Sequence, residues 1–169
     1  MKTAFFIVSI SILLIAGCSS KKSSNELLKD GEKLTSEEKF PEAVASYQKL
    51  IDDYPKDELA PEAISRLAVI YQNKLLQNIP EKESLQKAVE LFKSIHEKYP
   101  DSKQAPMGLF MAGFVQANEL KDYDAATETY KLFIKLYPDH ELKLSAQQEL
   151  NNMGLTPEEI LQKNIARQK

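Results

Sequence analysis

The stretch Leu85-Gln86-Lys87-Ala88-Val89-Glu90-Leu91-Phe92-Lys93-Ser94-Ile95-His96-Glu97-Lys98-Tyr99-Pro100 decides the fold, because the chain spells its pattern three times. After Leu85, the pattern places Ala88, Val89, Phe92 and Ile95, and Tyr99-Pro100 closes the run. Phe40, Ala43, Val44, Tyr47, Leu50 and Tyr54-Pro55 keep that spacing, and so do Tyr123, Ala126, Thr127, Tyr130, Phe133 and Tyr137-Pro138. The offsets are helical and give one apolar face with a small residue one turn in. Proline lacks the N–H and disfavours helical geometry in the residue before it, so each Tyr-Pro pair is expected to stop a helix. A second register follows each proline. Pro61, Pro106 and Leu144 come first; then Ala63, Gly108 and Ala146; then Leu67, Ala112 and Leu150; then Ala68, Gly113 and Asn151. The unit is therefore a pair of helices repeated every 38 to 45 residues. Such a period signals a solenoid, in which each unit buries its apolar face against its neighbours.

The run Tyr99-Pro100-Asp101-Ser102, then Ala105-Pro106, Ala112-Gly113 and Tyr123-Asp124-Ala125-Ala126, resembles a tetratricopeptide repeat of the variety found in bacterial envelope proteins. In the first copy, Gly31, Ala43, Tyr47 and Pro55 match the small, small, aromatic and proline sites of that family. Ala68 and Asn151 depart from its glycine, and the chain has no tryptophan. The resemblance covers residues 25–153 and implies an all-α solenoid, a right-handed superhelix of antiparallel helix pairs with about eight helices. Its units would be 25–57, 58–102, 103–140 and a partial 141–153.

The first residues are a different kind of text. Lys2 supplies a positive start, Phe5 to Ala16 form an apolar run broken only by Ser9 and Ser11, and Ile15-Ala16-Gly17-Cys18 closes it. The run is short for a bilayer span and ends in small residues, which reads as a secretory signal over 1–17. The only cysteine, directly after Ala-Gly, resembles the lipobox of bacterial lipoproteins. That resemblance implies lipidation of Cys18 and cleavage before it. The alternative is a plain signal with an incidental cysteine, but a lone cysteine in an exported chain has no disulfide partner. Two or three acyl chains, at ~0.8 kcal/mol per buried CH₂, would anchor the protein stably. Residues 18–24 are then the lipidated cysteine and a polar tether. By resemblance to lipoprotein sorting, Ser19 favours the outer membrane, facing the periplasm.

Removing 1–17 leaves a chain long enough for one domain with a continuous core. The formal net charge is −3, which gives no electrostatic reason to expect nucleic acid. Lys21 and Lys22 alone are a weak patch for anionic lipid. The first helix is expected over Asn25 to about Glu37, with Leu27, Leu28, Gly31 and Leu34 inward. Gly31 costs roughly 1 kcal/mol of helix propensity against alanine, understandable where a neighbouring helix crosses closely. Pro41, Pro61 and Pro106 fit helix starts, where a missing N–H is harmless. An insertion, Asn73 to Ser84, is expected to lengthen one or both helices of the second unit. Gly154 suits a left-handed helix stop. Thr156-Pro157-Glu158-Glu159 reads as a capping box that starts a last helix within 154–169, expected to cover the open end of the solenoid.

Little here carries chemistry. His96 stands where the sister units have Ile51 and Ile134, which suits a partly buried structural histidine; His140, beside Asp139, is expected to be a solvated turn residue. There is no His-Cys pair, no zinc spacing and no phosphate loop. The acidic pairs Asp52-Asp53 and Asp57-Glu58 lack calcium-loop spacing. The expectation is no enzyme, no metal and no cofactor beyond the lipid on Cys18.

In the family, the first helix of each unit lines a concave groove that holds the ligand. Carried over, the groove residues are Met107, Phe110, Phe114, Ala117 and Asn118 in the third unit, and Glu62, Ser65, Val69, Gln72 and Asn73 in the second. Met107, Phe110 and Phe114 form an apolar stripe that suits an amphipathic helix or extended peptide; the alternative is that the stripe is core. The resemblance thus implies a scaffold that binds envelope proteins or peptides. An accessory part in outer-membrane β-barrel assembly ranks first, since the tetratricopeptide lipoprotein of that machinery shows a comparable lengthening. Coordination of cell-wall synthesis or envelope constriction ranks second, and oligomeric state is left open.

Overall fold

The computed structural model describes residues 21–167; the proposed signal 1–17, Cys18 and Ser19 lie outside them, as do 168–169. All described regular structure is helical: α1 (Ser24–Ser36), α2 (Phe40–Asp53), α3 (Ala60–Gln72), α4 (Glu81–Lys98), α5 (Gln104–Phe114), α6 (Tyr123–Leu136), α7 (Lys143–Asn152) and α8 (Pro157–Arg167). A single wide π-turn, Val115–Glu119, continues α5. Each helix from α1 to α6 packs on the next, and α3 also touches α5. The result is a stack of antiparallel helix pairs, the solenoid expected from the period.

The repeated stretch fills the core as its spacing demands. Ala43, Tyr47 and Leu50 of α2 are buried, as are Leu85, Ala88, Phe92 and Ile95 of α4 and Ala126, Tyr130 and Phe133 of α6. The leucine, isoleucine and phenylalanine side chains among them contribute roughly 1.5–3 kcal/mol each when fully buried. The small residues on the opposing helices set how closely the pairs approach. A Cβ on Gly31 would stand 2.4 Å from the Tyr47 ring, and one on Gly113 would stand 2.9 Å from the Tyr130 ring. The close crossing expected at Gly31 is therefore real. In the second unit Ala68 meets a core built on Phe92 instead.

The Tyr-Pro pairs stop their helices alike. Tyr54, Tyr99 and Tyr137 take nearly the same backbone conformation, with φ −135, −136 and −125°. Each donates its N–H to the residue four back: Leu50, Ile95 and Phe133. Their side chains were not foreseen to matter, yet each hydroxyl reaches back along the chain. Tyr54 donates to the Lys22 carbonyl at 2.7 Å, Tyr99 to the Pro55 carbonyl at 2.7 Å, and Tyr137 pairs with His96 Nδ1 at 2.8 Å.

Four expectations need correction or sharpening. The insertion divides: Glu81 to Ser84 add a turn to α4, which has 18 residues against 14 in α2 and α6, while Asn73 to Pro80 is a connection outside any helix. Buried Ser84 fixes that extra turn by donating to the Tyr71 carbonyl at 2.6 Å. His140 is not a solvated turn residue. It is half-buried, its Nδ1 accepts from the Leu142 N–H at 3.2 Å, and its ring stands edge-on to Phe133 at 5.7 Å. The polar tether is already bound to the domain from Lys21 on. Lys21 lies 4.8 Å from the Tyr54 ring centroid, Lys22 pairs with Asp30 at 2.6 Å, and Ser23 caps α1 in a capping box with Glu26.

The last helix does not cover the open end. The stop at Gly154 (φ 77°) and the Thr156–Glu159 box form as read, but Leu161 and Ile165 remain 61 % and 50 % exposed. The reason is visible when Thr156-Pro157-Glu158-Glu159-Ile160 is laid on Phe40-Pro41-Glu42-Ala43-Val44. The inward positions of Ala43 and Tyr47 become Glu159 and Lys163, and a charged side chain is not buried without a partner. Lys163 instead donates to the Asn151 carbonyl, at the position of the repeat glycine.

Candidate interaction groove

The first helices of the units, α1, α3, α5 and α7, stand side by side, and the groove is their shared free face. On α5 the assignment of faces follows from what each residue touches. Gly108 approaches α4, where a Cβ would lie 2.8 Å from the Phe92 carbonyl oxygen, and Ala112 and Val115 join the same cluster. Leu109, Gly113 and Ala117 turn toward α6. Met107, 44 % exposed, half-buried Phe114 and exposed Asn118 are left to the groove.

Phe110 does not belong with them. Its ring stands edge-on to Tyr130 at 5.6 Å and to Phe133 at 5.8 Å, inside the cluster shared with α6. A step of three residues rotates about 300° around a helix, which carries Phe110 off the Met107 line toward α6. Ala117 is likewise buried at 4 %. The π-turn inserts one residue's worth of rotation, so that Val115, Gln116 and Ala117 are buried in succession. Gln116, polar and inside, accepts from Thr129 Oγ1 at 2.7 Å.

On α3, Val69 is 42 % exposed and Ser65 is half-buried. Asn73 donates back to the Val69 carbonyl at 3.0 Å and so closes its own helix. Gln72 crosses to the next unit and donates to Glu119 Oε1 at 3.0 Å. That bond is one rung of a polar ladder. Gln104 of α5 donates to Glu62 of α3 at 2.9 Å, and Glu62 also holds Arg66 at 2.7 Å. Arg66 reaches Glu32 of α1 at 3.6 Å, and Asn118 reaches Glu149 of α7 at 3.5 Å. Lys74 pairs with Glu81 at 2.9 Å and lies 3.8 Å from Glu119; its ammonium is held above the ordinary lysine range, first by the Glu81 hydrogen bond. The groove floor is thus two exposed apolar side chains between polar rungs, and its carboxylates outnumber its cations. Gln104, Arg66, Lys74 and Glu119 escaped the sequence reading, because their partners lie in other repeats.

Two cavities frame this face. One of about 350 Å³ opens beside Val69 between α1 and α3, walled by Tyr47, Ile70, Leu75 and Arg66. The other, about 370 Å³, lies between α7 and the end of α5, with Asn118, Glu149, Asn152 and Ile160 on its walls. A wider cleft of about 810 Å³ lies elsewhere, between α1 and α2. Its lysines 21, 22, 33, 39 and 49 share the three carboxylates of Asp30, Glu37 and Asp53, with Asp53 and Glu37 each holding two of them. Among the described residues no cluster of three or more His, Cys, Asp or Glu could hold a metal ion. No described helix is long and apolar enough to cross a membrane.

The sequence model of the tetratricopeptide repeat matches residues 34–57, 62–102 and 108–140, more than half of the chain. This chain belongs to the tetratricopeptide repeat family. The second and third matches run from a first helix through the Tyr-Pro turn that ends its pair, and the first begins in the last turn of α1 and ends past Tyr54-Pro55. No curated protein matches the chain in sequence. Tetratricopeptide repeats suggest a protein-interaction scaffold, and the row of first helices is where this one offers exposed apolar surface.

Proposed function

We propose that the protein is a non-catalytic scaffold of the bacterial cell envelope, anchored by lipid on Cys18, which holds a helix or extended peptide of a partner on its concave face. The observation that carries the groove reading is the exposure of Val69 and Met107 on adjacent first helices fixed by the Gln104–Glu62 and Gln72–Glu119 rungs. Apolar anchors in a polar, hydrogen-bonded frame suit peptide recognition better than catalysis. The anchor reading rests on the short apolar run and Ala16-Gly17-Cys18. The domain begins its contacts at Lys21, so a lipid on Cys18 would hold the repeats close to the bilayer. The extra turn of α4 supports likeness to the repeat lipoprotein of outer-membrane β-barrel assembly, and an accessory part in that process is the leading role.

Two measurements test this. A photocrosslinking residue at Met107 or Val69, in cells, should capture a β-barrel assembly component more strongly than one at exposed Lys87. Capture of a cell-wall or division protein would replace the pathway and keep the groove. Capture equal to the Lys87 control would remove the groove. Separately, Cys18→Ser should release the protein from the membrane fraction; a variant that stays integral would refute the anchor.

A further inference from the structure

We infer that the open first end of the solenoid seats the headgroups of anionic phospholipids, so that the domain stands end-on on the bilayer that carries its anchor and leaves its groove free. The inference rests on the reading of Cys18 as that anchor. It starts from a comparison of the units. Asp30 and Lys33 stand about Gly31 as Leu67 and Ile70 stand about Ala68, and as Ala112 and Val115 stand about Gly113. Those four apolar residues are buried against the unit before their own. Ser46 of α2 likewise takes the place that Leu91 has in α4, and Leu91 packs on the core of the first unit. No described repeat precedes the first, and there the same face turns from apolar to charged. An outer face of a solenoid must be polar to meet water, but it need not lean to one sign. This one leans to the cation: Lys21, Lys22, Lys33, Lys39 and Lys49 line the cleft of about 810 Å³ with only Asp30 and Glu37. Asp53, at the edge, is shared by Lys21 and Lys49. Glu26 is engaged by the N–H and hydroxyl of Ser23, and Glu42 is not among the walls.

Position and charge together name the occupant. The chain enters the fold along a wall of this cleft: Tyr54 donates to the Lys22 carbonyl at 2.7 Å, and the Lys21 ammonium stands 4.8 Å from the Tyr54 ring centroid. Cys18 is three positions before Lys21, a span of at most about 11 Å when fully extended. An acylated Cys18 therefore brings this end of the solenoid, and not α7 or α8, to the level of the headgroups. Lys21 and Lys22 alone are a weak patch, but the fold adds Lys33 from α1, Lys39 from the turn and Lys49 from α2. Two of the five pairings are loose, Lys21–Asp53 at 3.6 Å and Lys33–Glu37 at 3.9 Å. Exposed ion pairs contribute little in water, so the lysines can turn from carboxylate to phosphate at small loss. Each ammonium held near an anionic surface adds to the attraction.

The test uses the full-length protein, purified from membranes and placed in vesicles of phosphatidylcholine with or without phosphatidylglycerol. A fluorophore is attached through Ala45→Cys at the cleft or through Leu161→Cys on exposed α8, and is quenched by lipid carrying a spin label on its headgroup. Mass spectrometry reads the lipid on Cys18, whose acylated sulfur takes no fluorophore. With phosphatidylglycerol present, the label at 45 should be quenched several-fold more than the label at 161. That excess should shrink in phosphatidylcholine alone and at high salt, which screens the attraction. Lys33→Gln, Lys39→Gln and Lys49→Gln together should lower quenching at 45 to the phosphatidylcholine level, whereas Lys87→Gln should leave it unchanged. Equal quenching at 45 and 161 overturns the inference. So does strong quenching at 45 that neither lipid composition nor salt alters. In both cases a lipid found on Cys18 keeps the anchor reading; a chain without it removes anchor and docking together.

Discussion

The Tyr137 hydroxyl lies 2.8 Å from Nδ1 of His96, one repeat earlier in the chain. The two rings meet edge-on, 5.9 Å apart at 85°. For Tyr99 the sister position one repeat earlier is Ile51, which offers no such partner, and its hydroxyl takes the Pro55 carbonyl instead; Tyr54, with no repeat before it, takes the Lys22 carbonyl. The motif thus both ends a helix and ties a unit to what precedes it. In a solenoid, where stability is the sum of units and nearest-neighbour interfaces, such a tie adds directly to an interface between units. Tyr137→Phe should lower unfolding free energy by about 1 kcal/mol, the usual net worth of one hydrogen bond. In a His96→Ile background the same change should cost measurably less. A double-mutant cycle by urea denaturation reads the coupling; strict additivity would mean that the contact contributes nothing.

Tyr47 and Tyr130 occupy equivalent sites but differ in their hydroxyls. Tyr47 meets Thr35 Oγ1 at 3.4 Å, four residues after Gly31. Four residues after Gly113 the chain has Ala117, and the buried Tyr130 hydroxyl has no hydrogen-bond partner. An unsatisfied buried hydroxyl costs about 1–3 kcal/mol. Tyr130→Phe should therefore leave the protein as stable or more stable, matching Phe92 of the middle unit. Thermal denaturation checks this, and a marked loss of stability would show that the hydroxyl is satisfied in solution.

Burial pushes both hydroxyls above the ordinary tyrosine value near 10. The neutral phenol is the form that the fold accommodates, so an unfolded chain loses these protons first as pH rises. Stability from this source is complete below pH 10 and declines above it, by up to about 1.4 kcal/mol per pH unit for each tyrosine. Denaturation midpoints from pH 8 to 11.5 should fall only in the upper part of that range. Tyr130→Phe should flatten the fall; an unchanged slope would place the titrating groups elsewhere.

Much of this architecture could be read from spacing. Periodicity exposes which residues of a helix share a face, so Ala43, Tyr47 and Leu50 announce a buried stripe, and Gly31 announces the ring that covers it. Rotation within a face is harder. Phe110 and Phe114 both sit on the apolar side of a wheel, and only the contacts with Tyr130 and Phe133 separate core from groove. The spacing from Gly113 to Tyr123 is one residue longer than that from Gly31 to Phe40, but nothing in the count says that a π-turn absorbs it and buries Gln116. The ladder was hidden for a different reason: Gln104–Glu62 and Gln72–Glu119 join residues 42 and 47 positions apart. Local patterns hold no record of such pairs.

The ends of the first helices hold a reserve of stability. Glu38, Lys74 and Lys121 have positive φ of 58, 56 and 57°, just past α1, α3 and the π-turn. At the first two, the bonding is that of a Schellman stop. The Glu38 N–H donates to Thr35 and the Lys39 N–H to Leu34, and Lys74 and Leu75 donate likewise to Tyr71 and Ile70. Glycine is the residue that enters this conformation without a Cβ penalty, whereas an L side chain costs roughly 1–2 kcal/mol there. The gain is partly offset by the greater freedom of glycine in the unfolded chain. Glu38→Gly should therefore stabilise by about 1 kcal/mol, and Lys121→Gly by a similar amount. Lys74→Gly should gain less, because it also removes the ion pair with Glu81. Urea midpoints ranked Glu38→Gly above Lys74→Gly would support this account. Loss of stability at Glu38 would mean that its side chain, not its backbone, sets the turn.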